Sequence, residues 1–379
     1  MCDRLYKSIN TDTIPDNPYI LLTPGPLSTT KAVRGAMLRD WCTWDRDYND
    51  IVQAIRKELV NLGSKSDDYT AVLMQGSGTF SVESAIGTIM PRSSATTLLV
   101  LANGAYGERI ATIAHYLNIP TRKQTSSEIS TFDLEELENT LKNDSSIHAV
   151  AVVHCETTTG ILNPIEAIST IVKRYNKLFI VDAMSSFGGI PIDMDALNID
   201  VLISSSNKCI QGVPGFGFMI FKKELLLRCK NHARSLSLDA YDQWESMENG
   251  NGKWRFTSPT HVVHAFSEAL IELSLEGGIA KRYARYQQNQ HLLVAGMESL
   301  GFECVIDKKL QSPIITSFYS PTSTLYTFQT FYETLKKEGF VIYPGKVSTI
   351  DSFRIGTIGD VYPEDIQHLL KAIAKAVIW

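Results

Sequence analysis

The sequence predicts an α/β protein built on a mainly parallel sheet, followed by a smaller α+β unit. Three observations predict it. Short runs rich in Val, Ile and Leu recur through the central part of the chain, with helical patterns between them. Those runs are apolar at consecutive positions, as in strands buried on both faces. After residue 222 the order changes to long helices followed by strands, which is the pattern of a separate α+β unit.

The strand candidates in chain order are "AVLMQG" (71–76), "TTLLVLAN" (96–103), "HAVAVVHCE" (148–156), "KLFIVDA" (177–183), "DVLISSS" (200–206) and "GFGFMIF" (215–221). Helical patterns fall between them at 79–90, 106–117, 133–142 and 164–175, with a short turn near 193–197. Right-handed crossovers follow for parallel neighbours. Further on, 258–278 reads as a helix stopped by Gly277 and Gly278, and a second long helix covers roughly 280–300. Strands at 312–320, 340–345 and 352–359 alternate with helices at 326–338 and 362–377. The expected division is an N-terminal arm at 1–20, a large domain at 21–260 and a small domain at 261–379, with the arm joining the small domain.

A chain of 379 residues can bury a sizeable core. Its net charge of -5 comes with no block of like charge, so neither nucleic acid nor an anionic membrane has a basic footprint to grip. The cysteines at 2, 42, 155, 209, 229 and 304 form no CxxC and no dense framework, which points to reduced thiols and away from a zinc site. His261 and His264 are spaced i,i+3 but have no third ligand nearby. No metal is expected. The N-terminus lacks a signal-peptide core, and no apolar stretch nears the roughly 20 residues a membrane span needs. A cytoplasmic protein is expected.

Ligands of open α/β sheets bind at the carboxyl ends of strands, and the distinctive motifs fall there. "QGSGTFSVESAIG" (75–87) follows a strand and opens a helix, so Ser77, Gly78 and Thr79 form an anion cup. The string alone suits a ligand-free turn equally well. It lacks the GK[ST] of a Walker loop, and Ser81 stands where a dinucleotide fingerprint has its third glycine. Asp182 ends an apolar run, where a carboxylate costs desolvation unless partnered. Taken singly, an N-cap or turn role suits it better. Lys208, in "SSSNKCIQGVPG", ends the next strand among small residues. Small neighbours leave room for a planar ligand, and a desolvated lysine amine forms Schiff bases with carbonyls.

Together the three match pyridoxal 5'-phosphate, which has a phosphate, a pyridine nitrogen and an aldehyde. Thr158 in "HCETTTGILNPI" would meet the ring oxygen or the Asp. Tyr106 in "NGAYGER" would present an aromatic face to the ring, with core packing as the alternative. A nucleotide-binding oxidoreductase is the rival of another class. It leaves Lys208 without a role.

With "TPGP" (23–26), "GSGT" (76–79), "ETTTGILNP" (156–164), "VDAMSSFGG" (181–189), "SSSNKCIQGVPG" (204–215) and "FRIGTIG" (353–359), the chain resembles the class V, fold-type I aminotransferases. The resemblance runs from about residue 19 to the C-terminus. It implies a large domain with a mainly parallel seven-stranded sheet flanked by helices, plus a smaller α+β domain. It also implies Lys208 as the Schiff-base lysine, Asp182 against the pyridine nitrogen, and Ser77, Gly78 and Thr79 on the phosphate. Tyr106 would stack on the ring and Thr158 would bond near its hydroxyl. Thr257 in "WRFTSPT" would reach the phosphate of the neighbouring subunit's cofactor, which implies a homodimer. Arg354 would pair with the substrate's acid group, and Gly25 and Ser28 would border the substrate. In the strings "LLTPGPLSTT", "DWCTWDRDYN", "GKWRFTSPTH" and "FVIYPGKVS" the chain most resembles the members of that family that act on 2-aminoethylphosphonate and pyruvate, and the resemblance implies those substrates. Transfer among serine or alanine and glyoxylate or pyruvate is the alternative within the family. Arg34, Arg46 and Arg255 are better read as surface cations. "DWCTWD" carries no derivable chemistry.

Overall fold

The computed structural model describes residues 11–345, 347 and 349–377. Half of the expected arm, residues 1–10, lies outside the described residues, as do Lys346 and Ser348 of "FVIYPGKVS".

The chain opens with β1 (Ile20–Leu21), α1 (Lys31–Ala36) and α2 (Arg46–Gly63). Eight strands follow: β2 (Tyr69–Gln75), β3 (Thr97–Ala102), β4 (Thr121–Thr125), β5 (Ile147–Val153), β6 (Cys155–Glu156), β7 (Ile161–Leu162), β8 (Leu178–Asp182) and β9 (Val201–Ser205). Between them run α3 (Gly78–Ile89), α4 (Ala105–Tyr116), α5 (Leu134–Asn143) and α6 (Ile165–Arg174). Then come β10 (Phe216–Lys222), α7 (Lys223–Arg228), α8 (Ala240–Asn249), α9 (Thr260–Glu276) and α10 (Gly278–Ser299). The chain finishes with β11 (Ile315–Tyr319), α11 (Phe328–Lys337), β12 (Phe340–Val341), β13 (Tyr343–Pro344), β14 (Ser352–Gly356) and α12 (Pro363–Ala376).

The main sheet has seven strands in the order β2-β10-β9-β8-β5-β3-β4. Only β10 runs against its neighbours. Consecutive residues of the central strands point to opposite faces, and both faces are covered. In β5, Val150 and Val152 join one core with Phe179 and Val181 of β8. Ala149, Ala151 and Val153 join the other with Ile180, Val82 and Ile86. This double burial is why these strands read as unbroken apolar runs.

The sequence reading leaves out several elements, β1, α1, α7 and α8 among them; two further omissions have a clear physical reason. β4 (TRKQT) is a polar edge strand that buries only Gln124; an edge needs no second apolar face and gains from charge. α2 is the other. Its charged sequence hides the stripe Tyr48, Val52, Ile55 and Leu59, spaced three or four apart and buried.

α9 ends as expected at Gly277, whose φ of +102° suits glycine, with its amide bonded back to Leu273 and Ser274. Val263, Phe266, Ala269 and Leu270 of this helix belong to the large core, although the expected boundary at 260/261 assigns them to the small domain. A third core gathers Leu293 and Met297 of α10 with Phe318, Phe331, Phe353 and Leu369. There β11, β14 and β13 form an antiparallel sheet. β1 pairs in parallel with β12 (Ile20 opposite Phe340), which ties the N-terminal segment to the small unit. No described helix is long and apolar enough to cross a membrane.

Candidate active site

The carboxyl ends of β2, β3, β5, β8 and β9 share one edge of the main sheet. The turns beyond them surround a cavity of about 190 Å³, walled in part by Ser77, Gly78, Thr79, Tyr106, Arg109, Cys155, Asp182, Asn207 and Lys208. Six residues singled out from four separate motifs therefore meet here, at or beyond four different strand ends.

Asp182 is the last residue of β8, and its Oδ1 accepts from the Met184 amide at 2.9 Å. Burial pushes its carboxyl up to about 6, while that amide, Lys208 and Arg109 pull the other way. Lys208 follows β9. Its Nζ donates to the carbonyl oxygens of Pro24 at 2.7 Å and Gly25 at 3.4 Å. Burial pulls its amine down to about 8, against the nearby Asp182. Gly25 has a φ of +109°, and a Cβ there would stand 2.7 Å from Lys208 Cδ. Glycine is what lets this turn close over the lysine.

The Ser77 hydroxyl caps none of the α3 amides, and the Phe80 amide donates to Ser77 O at 2.9 Å, so that hydroxyl and the N–H groups of Gly78 and Thr79 remain for an anion. Amine, carboxylate and anion cup are the chemical set that pyridoxal phosphate requires, and the donors present fit it.

Arg354 sits in the middle of β14 and is 3% exposed. Its Nε donates to Pro344 O at 2.9 Å and its Nη1 to Thr157 O at 2.7 Å. The ring of Tyr343 lies 5.2 Å from its guanidinium carbon. Among the described residues it makes no ion pair with a carboxylate. Burying a guanidinium without a counter-charge is costly, so an acidic ligand would relieve it.

Several polar residues at or behind the cavity walls escaped sequence reading, Glu156 and Arg109 among them. Glu156 is fully buried. Its Oε2 accepts from the amides of Tyr106 at 3.0 Å and Gly107 at 3.3 Å, and its Oε1 from the Thr158 hydroxyl at 2.8 Å. Burial raises its pKa, and these donors oppose the rise. Arg109 lies beside Thr79, with its Nη1 3.4 Å from Oγ1, and 4.8 Å from the Tyr106 ring centre. The spacing NGAYGER carries a weak cue for Arg109, one helical turn beyond Tyr106. For Glu156 the cue is its place at a strand end, at the head of "ETTTGILNP".

Other expectations meet a different geometry. Thr158 lies outside the cavity walls, with its hydroxyl given to Glu156. Ser28 is buried, and its Oγ accepts from the Leu21 amide at 2.8 Å, which fastens β1. Thr257 is exposed beside Phe256, itself 50% exposed, and lines no part of its own chain's cavity. Trp41 packs edge-on against His264, whereas Trp44 is exposed under Lys253. Arg34 bonds Pro15 O, Arg46 pairs with Asp50 and Arg255 with Asp242. No His, Cys, Asp and Glu cluster among the described residues could hold a metal.

The chain belongs to the class-V aminotransferases: residues 30–350 match that family. Its cofactor is accordingly pyridoxal phosphate. More particularly, it is 61% identical to the 2-aminoethylphosphonate–pyruvate transaminase of Vibrio vulnificus (strain CMCP6), over 96% of this chain and 99% of that one. It is 56% identical to the bifunctional phosphonoacetaldehyde hydrolase/aminoethylphosphonate transaminase of Clostridioides difficile (strain 630), over 98% of this chain and 58% of that protein. The alanine–glyoxylate aminotransferase of Nostoc sp. superposes with a TM-score of 0.86 at 22% identity, covering 96% of this chain and 97% of that one. That likeness carries the fold alone. Family membership removes the oxidoreductase reading of the GSGT turn.

Proposed function

We propose that the chain transfers the amino group of 2-aminoethylphosphonate to pyruvate in two half-reactions, releasing phosphonoacetaldehyde and then L-alanine. The observation that carries the choice of substrates is the near-full-length 61% identity to a transaminase of that name. The name of the Clostridioides relative joins such a transaminase to a hydrolase of the expected product.

Bound pyridoxal phosphate supplies an aldehyde to carry the amino group and a ring that accepts electrons. Lys208 would anchor it and would carry a proton to and from the substrate carbon. An amine brought down to about 8 by burial keeps a neutral fraction near neutral pH, as a proton carrier needs. Asp182 would stand against the ring nitrogen and hold positive charge there. Ser77, Gly78 and Thr79 receive the phosphate at the start of α3. Tyr106 walls the ring. Thr158 acts one step back, through Glu156 and the Tyr106 amide.

Arg354 grips the acid group of each substrate in turn, because a planar fork suits carboxylate and phosphonate alike. Gly25 and Ser28 shape the substrate side, Gly25 by giving Lys208 room and Ser28 by fixing its segment. A homodimer completes the site, with Thr257 of the partner subunit reaching the phosphate. The described cysteines are free thiols, in keeping with the cytoplasm as the place of reaction.

Arg354→Ala tests the reading. The variant should stay yellow with bound cofactor, while kcat/KM falls on the order of 10²–10³-fold for both pyruvate and 2-aminoethylphosphonate. If serine reacts and 2-aminoethylphosphonate is inert with the unmodified enzyme, the substrate assignment fails.

A further inference from the structure

Among the described residues, the largest fully buried charged side chain lies outside the cavity. Arg282 of α10 is 1% exposed. Its Nη1 donates to the carbonyl oxygens of Cys209 at 3.0 Å and Ile210 at 3.3 Å, the two residues after Lys208. Its Nε and Nη2 bind Glu276 Oε2 at 2.8 and 2.7 Å. Glu276, the last residue of α9, also takes Arg285, with Nε at 2.8 Å from Oε1. Arg285 in turn donates through Nη1 to the carbonyl oxygens of Gly359 at 2.9 Å and Val361 at 2.7 Å.

A second connection runs beside the first. The hydroxyl of Tyr286, also on α10, accepts from Gln211 Nε2 at 2.6 Å and from the Gly359 amide at 3.4 Å. It lies 3.4 Å from Cys209 O. Gln211 Nε2 reaches Gly359 O as well, at 2.8 Å. Gln211 holds a φ of +70°, which a side chain other than glycine keeps only when its surroundings over-determine it. Residues 357–361 continue directly from β14, which carries Arg354. The Asp360 amide then donates to Ser28 O at 2.9 Å, which brings in the segment that holds Gly25.

We propose that Glu276, Arg282, Arg285 and Tyr286 form a positioning unit that sets the register between the Lys208 turn and the Arg354 strand. The inference rests on the reading of Lys208 as proton carrier and Arg354 as acid clamp. A substrate held by its acid group presents its amine-bearing carbon wherever that register places it. A misplacement of about 1 Å costs on the order of 10²-fold in rate. An amine with no acid group is not held at the Arg354 end and does not feel the register.

Arg282→Lys keeps the charge but has one nitrogen, which cannot bridge the carboxylate and both carbonyls. Tyr286→Phe deletes one hydroxyl and keeps the ring. Full-length holoenzymes of both, with wild type and Arg354→Ala, would be compared by thermal unfolding and by bound cofactor counted after release. Single-turnover rates, followed at the visible absorbance band, would be taken with 2-aminoethylphosphonate and with propylamine. We expect both positioning variants to be folded and loaded, with the 2-aminoethylphosphonate rate down about tenfold or more. The propylamine rate should change less than about twofold, because propylamine makes no contact that the register controls. Equal losses with both amines would reduce the unit to general support of the lysine turn and overturn the proposal. So would unchanged rates in Tyr286→Phe, should Arg282→Lys fail to fold. If Arg354→Ala leaves the ratio of the two rates at the wild-type value, the acid-clamp reading falls and takes this inference with it. A collapsed ratio there with an intact ratio in Tyr286→Phe sinks the positioning unit alone.

Discussion

Lys208 should destabilise the protein when the cofactor is removed. Its amine falls from 10.5 to about 8 because burial disfavours the charged form. At about 1.4 kcal/mol per unit, this places about 3 kcal/mol against the fold at pH 7. Lys208→Met removes that burden at nearly constant volume but leaves the Pro24 and Gly25 carbonyls without their donor. That loss returns about 1 kcal/mol, for a net gain of about 2 kcal/mol. An entropy of unfolding of about 2 cal/mol/K per residue converts this to a rise in Tm of roughly 2–3 °C. The sign with pH is fixed. The folded pKa lies below the unfolded one, so the burden is full below about 8, shrinks as pH rises from there, and is gone by 10.5. Differential scanning fluorimetry of the two cofactor-free proteins at pH 7 and pH 10 reads both effects. A variant no more stable than wild type at pH 7, or a gap that holds its size at pH 10, would refute the reasoning.

The remaining expectations concern single groups. Asp182→Asn should keep cofactor bound yet slow each half-reaction on the order of 10²–10⁴-fold, seen in single turnovers, because a neutral amide cannot stabilise charge on the ring nitrogen. Glu156→Gln points an amide NH₂ at one of the N–H or O–H donors that the carboxylate now accepts. It should cost about 1–3 kcal/mol, read as a fall in Tm of a few degrees, and a neutral result would mean that the loop re-forms around it. Thr257→Ala should weaken pyridoxal phosphate about five- to tenfold in equilibrium titration and leave pyridoxal, which has no phosphate, unaffected.

Much of the fold was legible because the central strands are buried on both faces, so their composition alone marks them. The polar edge strand β4 and the charged helix α2 were not, since β4 has no apolar residue at all and α2 shows its apolar stripe only at a few spaced positions. The site was legible where a motif couples a residue type to a strand end, as for Asp182 and Lys208. It was illegible where the meaning lies in long-range contact. Glu156 and the Tyr106 amide stand 50 residues apart, and Arg282 meets the Lys208 turn across 73. Thr158 and Ser28 show the converse limit. A hydroxyl placed near a site by sequence can already be committed to a neighbour.

The reversed strand β10 has a consequence for how such a site can change. It lies between β2, which leads to the phosphate cup, and β9, which leads to the lysine. Neighbouring strands stand about 4.8 Å apart, so the cup and the amine are held two spacings from one another by backbone pairing alone. Asp182 is one spacing further along. The sheet works as a ruler graduated in whole strands, and no point substitution can move its marks. Arg354 and Gly25 lie off the ruler, on the small unit and its N-terminal segment. A new amino donor could therefore be accommodated by editing those segments, while the part that grips the cofactor keeps its dimensions.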